Sequence, residues 1–181
     1  MTVPGANRAA LSGRPSPVRW LAVCAVLFLV TACSPERGGM TGVSVDDEGR
    51  LLTNVAWCGA APDGLSVHRV PEAGVLIADA EYVSPPLRGG FASVSLEAPA
   101  DGWRISFGDP GLDPGQTYSV SVWSKANSRT FGSVKFTPDA IRRMRPGLIL
   151  IRQHDEKTGD EVDVVLGRAD FVAQAQQDCV R

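Results

Sequence analysis

The stretch GLDPGQTYSVSV, residues 111–122, decides how the rest of this chain is read. A Pro-Gly pair punctuates its first half, and strict alternation follows. Tyr118, Val120 and Val122 fall on one side, with Ser119, Ser121 and Trp123 on the other. Successive side chains of a strand point to opposite faces, so a period of two marks a half-buried strand.

The same texture recurs on both sides of it. RLLTNVAW (50–57) alternates through Leu51, Thr53, Val55 and Trp57, and LSVHRV (65–70) follows a turn-rich connection. GVLIADAEYV (74–83) comes next, and FASVSLEA (91–98) puts Ala92, Val94 and Leu96 on one face. WRISFG (103–108) puts Trp103, Ile105 and Phe107 on one side with Arg104 and Ser106 opposite, and FGSVKF (131–136) pairs Val134 with Phe136. Turn signals every 8–12 residues or so between such runs predict a mainly β fold, a sandwich or barrel.

Past Thr137 the pattern changes. In TPDAIRRM (137–144), Thr137 suits an N-cap, Pro138 a first helical position and Asp139 a first turn, so a short helix is expected. LILIRQHDEKTGDEVDVVL (148–166) reads as a hairpin with Gly159 in its turn. ADFVAQAQQDC (169–179) fits a last helix or a strand.

Leu112, Pro114, Gly115, Tyr118, Val120 and Val122 spell L-x-P-G-x-x-Y-x-V-x-V. This resembles the approach to the penultimate strand of fibronectin type III domains. With Val55-Ala56-Trp57 and LSVHRV as two earlier strands, the similarity spans residues 51–137. It implies an Ig-like β-sandwich, to which the residues past 137 are expected to add a short helix and an extra C-terminal hairpin. It also implies a tyrosine corner at Leu112, Pro114 and Tyr118, with the Tyr118 hydroxyl bonded to upstream backbone. A fold of this kind carries no information about a ligand.

The first 32 residues have a different character. They hold Arg8, Arg14 and Arg19, no acidic residue, and a 13-residue apolar or small run from Trp20 to Ala32. That run suits a cleaved signal peptide and falls short of the ~20 residues needed to cross a membrane. Val30-Thr31-Ala32-Cys33 resembles the lipobox of bacterial lipoproteins, among them small actinobacterial ones. The resemblance implies cleavage between Ala32 and Cys33 and a diacylglyceryl group on the Cys33 thiol. The protein is then expected on the extracytoplasmic face of the cell membrane, held by acyl chains that include palmitate. An ordinary secreted protein cut after Ala32, or an uncleaved anchor, fits the same residues. Residues 33–41 read as a lipidated, Gly-rich tether, and residues 42–181 as one domain with an extension from 138.

Cysteine usage follows from the leader. Cys24 leaves with it and Cys33 is acylated, so Cys58 and Cys179 remain. In an oxidising compartment a disulfide between them is expected, although two separately buried thiols also fit. The chain carries a net charge of −2, and loss of the three leader arginines makes it −5. An acidic domain without a basic patch argues against nucleic acid and against electrostatic docking on anionic lipid.

Catalytic patterns are sparse. His68 and His154 lie in no close ligand pair, and no nucleophile elbow or phosphate loop occurs. HDEKTGDEVD (154–163) fails the EF-hand spacing, because Lys157 and Gly159 stand where oxygen ligands belong. It and VDDEG (45–49) are expected as turns. Arg142, Arg143 and Arg145 suit a helix C-terminus. No catalytic residue, cofactor or metal is expected, and the function expected is a non-catalytic binding domain for an envelope or cell-wall partner. Two rivals stand beside it. One is an accessory subunit of a membrane complex, and the other an envelope hydrolase using Asp109 with Asp113 or Asp160 with Asp163.

Overall fold

The structure, a computed structural model, describes residues 36–109, 111–125 and 129–179. Ala32 and Cys33, the expected cleavage and lipidation positions, lie outside them. The strands are β1 (Glu36–Arg37), β2 (Gly39–Val45), β3 (Leu51–Trp57), β4 (Gly64–Arg69), β5 (Ile77–Val83) and β6 (Phe91–Ser95). They continue with β7 (Arg104–Gly108), β8 (Tyr118–Trp123), β9 (Arg129–Thr130), β10 (Ser133–Phe136), β11 (Leu148–His154) and β12 (Glu161–Gly167). Helix α1 (Pro138–Arg142) precedes the last hairpin and helix α2 (Arg168–Asp178) follows it.

Two antiparallel five-stranded sheets form the sandwich, in the orders β10-β8-β4-β5-β7 and β12-β11-β2-β3-β6. β4, β8 and β10 take the C, F and G positions of an Ig-like sandwich, and β2, β3 and β6 take A, B and E. Two additions widen it: β7 beside β5, and the β11–β12 hairpin beside β2.

The alternation read from the sequence sets the core. Val55 and Trp57 of β3 and Tyr118, Val120 and Val122 of β8 are all buried between the sheets. Each fully buried Val or Leu contributes about 1.5–3 kcal/mol relative to exposure. Polar bonds across the sandwich fix how the sheets sit. The Tyr82 hydroxyl donates to the Leu96 carbonyl at 2.5 Å, and the Thr41 hydroxyl donates to the Phe131 carbonyl at 2.9 Å. The Tyr118 hydroxyl, fully buried, accepts the Asp113 backbone N–H at 3.0 Å.

The C-terminal segment left open between helix and strand is the helix α2. It lies on the outer face of the second sheet, where Phe171 and Ala175 are buried with Ile149, Ile151 and Ala56. Phe171 meets Phe91 edge-on at 6.2 Å. Immediately past the helix, Cys179 is disulfide-bonded to Cys58, with Cα atoms 6.5 Å apart. The bond ties the end of the third layer to the connection after β3.

In two places the structure differs from the sequence reading. The tether expected over residues 33–41 stops sooner, because Glu36–Arg37 pair with Arg129–Thr130 and β2 begins at Gly39. The glycines there serve close approach. A Cβ at Gly39 would collide with the Ala56 carbonyl of β3, and one at Gly42 with the Ile149 side chain of β11. The second difference is β7. Trp103 is buried, but Ile105 and Phe107 are 39% and 54% exposed. Phe107 stands opposite Glu81 and Ile105 opposite Tyr82, so Ser106 is an extra residue and the alternation breaks at a β-bulge.

Candidate functional site

The hairpin and α2 were added to the sandwich at the end where β2 enters, and a cleft of ≈930 Å³ opens there. One wall is α2, whose Asp170, Gln174, Gln177 and Asp178 are spaced to share a helical face. A second wall comes from β11 and β12, with Arg152, Gln153, His154 and Glu161. The third is the β9–β10 segment, with Thr130, Gly132, Ser133 and Lys135, and Arg37 of β1 stands beside it. Met40, Phe131 and Ala173 supply apolar surface between these groups.

Local sequence explains why these side chains converge. β11 alternates, so Ile149 and Ile151 go under α2 while Leu150 packs toward the main core. The apolar alternation of LILI ends at Ile151, and the polar run Arg152-Gln153-His154 projects beyond the hydrophobic layer. On α2, Phe171 and Ala175 are four apart and face the sheet, leaving the polar face to the cleft.

Some of these charges are already partnered. Arg37 lies 3.6 Å from Asp178, and His154 lies 3.7 Å from Glu161 with both side chains more than half exposed. Arg152 Nε comes within 3.3 Å of Asp163, yet it is buried and not aligned for a hydrogen bond, so this contact is an ion pair only. Lys135, Glu156, Asp170, Gln174 and Gln177 enter no side-chain hydrogen bond or ion pair among the described residues. The cleft therefore offers ammonium, carboxylate and amide groups together, a chemistry suited to holding a polar ligand by many hydrogen bonds.

A smaller hollow of ≈370 Å³ lies on the outer face of the second sheet, near the start of α2. Its polar floor is satisfied internally, since Asn54 donates to the Ser44 hydroxyl at 2.7 Å. Arg168 covers the Phe91 ring at 4.2 Å on its rim.

Of the residues considered for hydrolysis, Asp109 and Asp163 use their carboxylates in a turn and an ion pair, while Asp113 and Asp160 are held in turns through their backbone groups. Asp109 accepts the Gly111 N–H at 3.0 Å, Asp113 contributes its backbone N–H to Tyr118, and Asp163 faces Arg152. Asp160 closes the hairpin turn, where its carbonyl accepts the Asp155 N–H at 2.8 Å. Asp155 in turn accepts the Lys157 N–H at 2.8 Å, which makes the acidic run a hairpin tip. Among the described residues no three His, Cys, Asp or Glu side chains gather in a way that could hold a metal ion. His68 lies on β4 and Arg142 pairs with Glu97, both away from the cleft.

Of the cleft residues, the sequence reading touched only His154, Glu156 and Glu161, as part of the run 154–163, and missed the others. The signal that finds them is the i, i+4, i+7, i+8 spacing of Asp170, Gln174, Gln177 and Asp178, which requires the segment to be helical. No family model matches the chain, and neither a curated protein nor a solved structure matches it.

Proposed function

We propose that this chain is a membrane-anchored envelope lipoprotein whose β-sandwich is a non-catalytic binding domain, with the ≈930 Å³ cleft as its ligand surface. The observation that carries the reading is Val30-Thr31-Ala32-Cys33 at the end of a 13-residue apolar run behind three arginines. Two acyl chains on one cysteine make a durable anchor at about 0.8 kcal/mol per buried methylene, which one chain alone does not. The disulfide supports the same location, since such bonds persist outside the cytoplasm.

The early start of the sheet sharpens the picture. Cys33 precedes the first strand residue, Glu36, by three positions. Even fully extended, three residues reach only about 10–11 Å. Arg37, the next residue, stands in the cleft wall, so the ligand surface is held near the headgroups. The partner is then another component at the membrane surface or the inner face of the cell wall.

Replacing Cys33 by Ala tests the anchor. The variant is expected to leave the membrane fraction and the wild-type mature chain to carry acyl mass on Cys33. Retention of the variant in membranes, or an unacylated N-terminus in the native protein, refutes the reading. For the cleft, crosslinking in intact cells from Gln174→Cys is expected to capture a partner that a cysteine at exposed Glu72 on the opposite end does not. Equal capture from both positions, or turnover of cell-wall material by the purified protein, counts against a binding domain with this surface.

A further inference from the structure

The cleft has a cause in the backbone. β2 ladders to β3 along all seven of its residues, but β11 joins it at one pair only, Val43↔Leu150. Past that pair, Gly39–Gly42 of β2 and Ile151–His154 of β11 run on without pairing to each other. The N-terminal end of β2 is held instead by the other sheet's side. The Gly38 N–H donates to the Thr130 carbonyl at 2.8 Å, and the Thr41 hydroxyl to the Phe131 carbonyl at 2.9 Å. β11 stays with β12 as far as His154↔Glu161.

In an antiparallel ladder each residue turns its N–H and C=O to the same side, alternately toward one neighbour and the other. The flanking bonds fix which residues face the opening. The Cys58 N–H bonds to the Gly38 carbonyl, so even-numbered residues of β2 face β3, and Gly39 and Thr41 face away from it. The Asp155 N–H bonds to the Asp160 carbonyl, so odd-numbered residues of β11 face β12, and Arg152 and His154 face the opening. All four of these residues line the cleft, and among the described residues no backbone bond outside the ladders reaches them. Their side chains are engaged elsewhere: Gly39 has none, Thr41 turns to Phe131, and Arg152 and His154 lie against Asp163 and Glu161 of β12.

Given the cleft as ligand surface, on which this rests, we propose that it takes an extended peptide segment of a partner protein. The segment lies as a strand in the place β2 vacates and pairs with the Arg152 and His154 backbone of β11. Strand addition draws affinity from main-chain bonds and selectivity from the side chains on either face. Each arm of the opening runs four residues past the Val43↔Leu150 pair. At strand rise that is about 13 Å, room for about four residues of ligand. The two faces differ in charge. Toward α2 the added strand meets Asp170, Gln174 and Gln177, and toward the first sheet it meets Ser133 and Lys135. Asp170 and Lys135 have no ion-pair partner among the described residues, so the matching ligand alternates basic side chains on the α2 side with acidic ones on the other. Phe131, the only Phe, Tyr or Trp among the described lining residues, is 2% exposed, which leaves a sugar ring no aromatic face to stack on.

The test uses the full chain, purified from bacterial membranes in mild detergent. The probe is a capped peptide of alternating Lys and Glu, about seven residues long; its control has the same composition with Lys and Glu in separate blocks. The alternating probe is expected to bind with a Kd below about 1 mM, and the block peptide about tenfold more weakly. Bound probe should slow hydrogen exchange at the Arg152 and His154 amides and leave Gln153, which faces β12, unchanged. His154→Pro removes a donor on the opening side, where a ladder tolerates proline, and should weaken the probe about tenfold, whereas His154→Ala keeps the N–H and should bind within about twofold of wild type. Should the proline variant not fold, the exchange at Arg152 and His154 decides the matter. No binding at about 1 mM, equal binding of the block peptide, unchanged exchange with probe bound, or equal weakening by Pro and Ala each overturns the proposal. The Gln174→Cys crosslink judges the cleft separately. Partner capture that His154→Pro leaves undiminished sinks the peptide strand alone, whereas no capture sinks the cleft as a ligand surface.

Discussion

Removing the Cys58–Cys179 bond, by Cys58→Ala with Cys179→Ala, tests how the third layer is held. The bonded residues are 121 apart in sequence, so the bond closes a loop containing β4 to β12 and both helices. In the chain-entropy account a loop of that length withholds about 5 kcal/mol of freedom from the unfolded chain. The native state loses little in the double variant, because Phe171 and Ala175 stay fully buried beneath α2. Far-UV dichroism without denaturant should therefore match the wild type. With a urea slope of about 2 kcal/mol per M, the unfolding midpoint should fall by about 2–2.5 M. Hydrogen exchange should also show the last turn of α2 opening first, since Ala175 is its final fully buried residue. A midpoint shift below about 0.5 M refutes the reasoning, because it would mean the unfolded chain is already confined without the bond.

Three further outcomes are expected. Tyr118→Phe leaves the Asp113 N–H without its acceptor and should cost about 1 kcal/mol, lowering Tm by about 2–4 °C; an unchanged Tm means the hydroxyl bond contributes nothing. Phe171→Ala empties a site under α2 that is 0% exposed and should cost about 3 kcal/mol or more with the disulfide intact; a loss under about 1 kcal/mol shows that the helix is held by the bond alone. Asp46→Asn probes the β2–β3 turn, where burial raises the carboxyl pKa but bonds from the Arg50 N–H, the Arg50 guanidinium and the Glu48 N–H lower it further, to a net value below 3.8. A lowered folded pKa stabilises at neutral pH and is lost as pH falls through it. The wild type should therefore exceed Asp46→Asn in stability near pH 7, and the gap should close below pH 3.8; a gap that persists in acid excludes the carboxylate as its source.

Where one face of a strand meets the core, the sequence was legible. β10 follows its alternation strictly, with Val134 and Phe136 buried and Ser133 and Lys135 exposed, whereas β3 and β8 keep their inward residues although Asn54, Ala56 and Ser119 on the other face are buried as well. Thr137-Pro138 started α1, although the Thr137 side chain makes no capping bond, and Gly159 took positive φ in the last turn. The two remaining cysteines pointed to each other only because the leader accounted for the other two. β7 misled for the opposite reason: its bulge inserts Ser106, and no single-sequence period reveals an extra residue. GGMTG looked like a linker because its glycines suggest freedom, whereas here they admit the neighbouring strands β3 and β11. The cleft was hidden in long-range geometry, since α2, the hairpin and Arg37 come together only after the sheets close.

The chain enters the sandwich through its middle. β2, the first long strand after the N-terminus, is third of five, laddered to β3 on one side and β11 on the other. Tension arriving from that terminus therefore loads the seven-pair β2–β3 ladder lengthwise, with the Val43–Leu150 pair to β11 beside it, instead of unzipping a border strand one rung at a time. A domain pulled in this way should endure more than one pulled through a border strand.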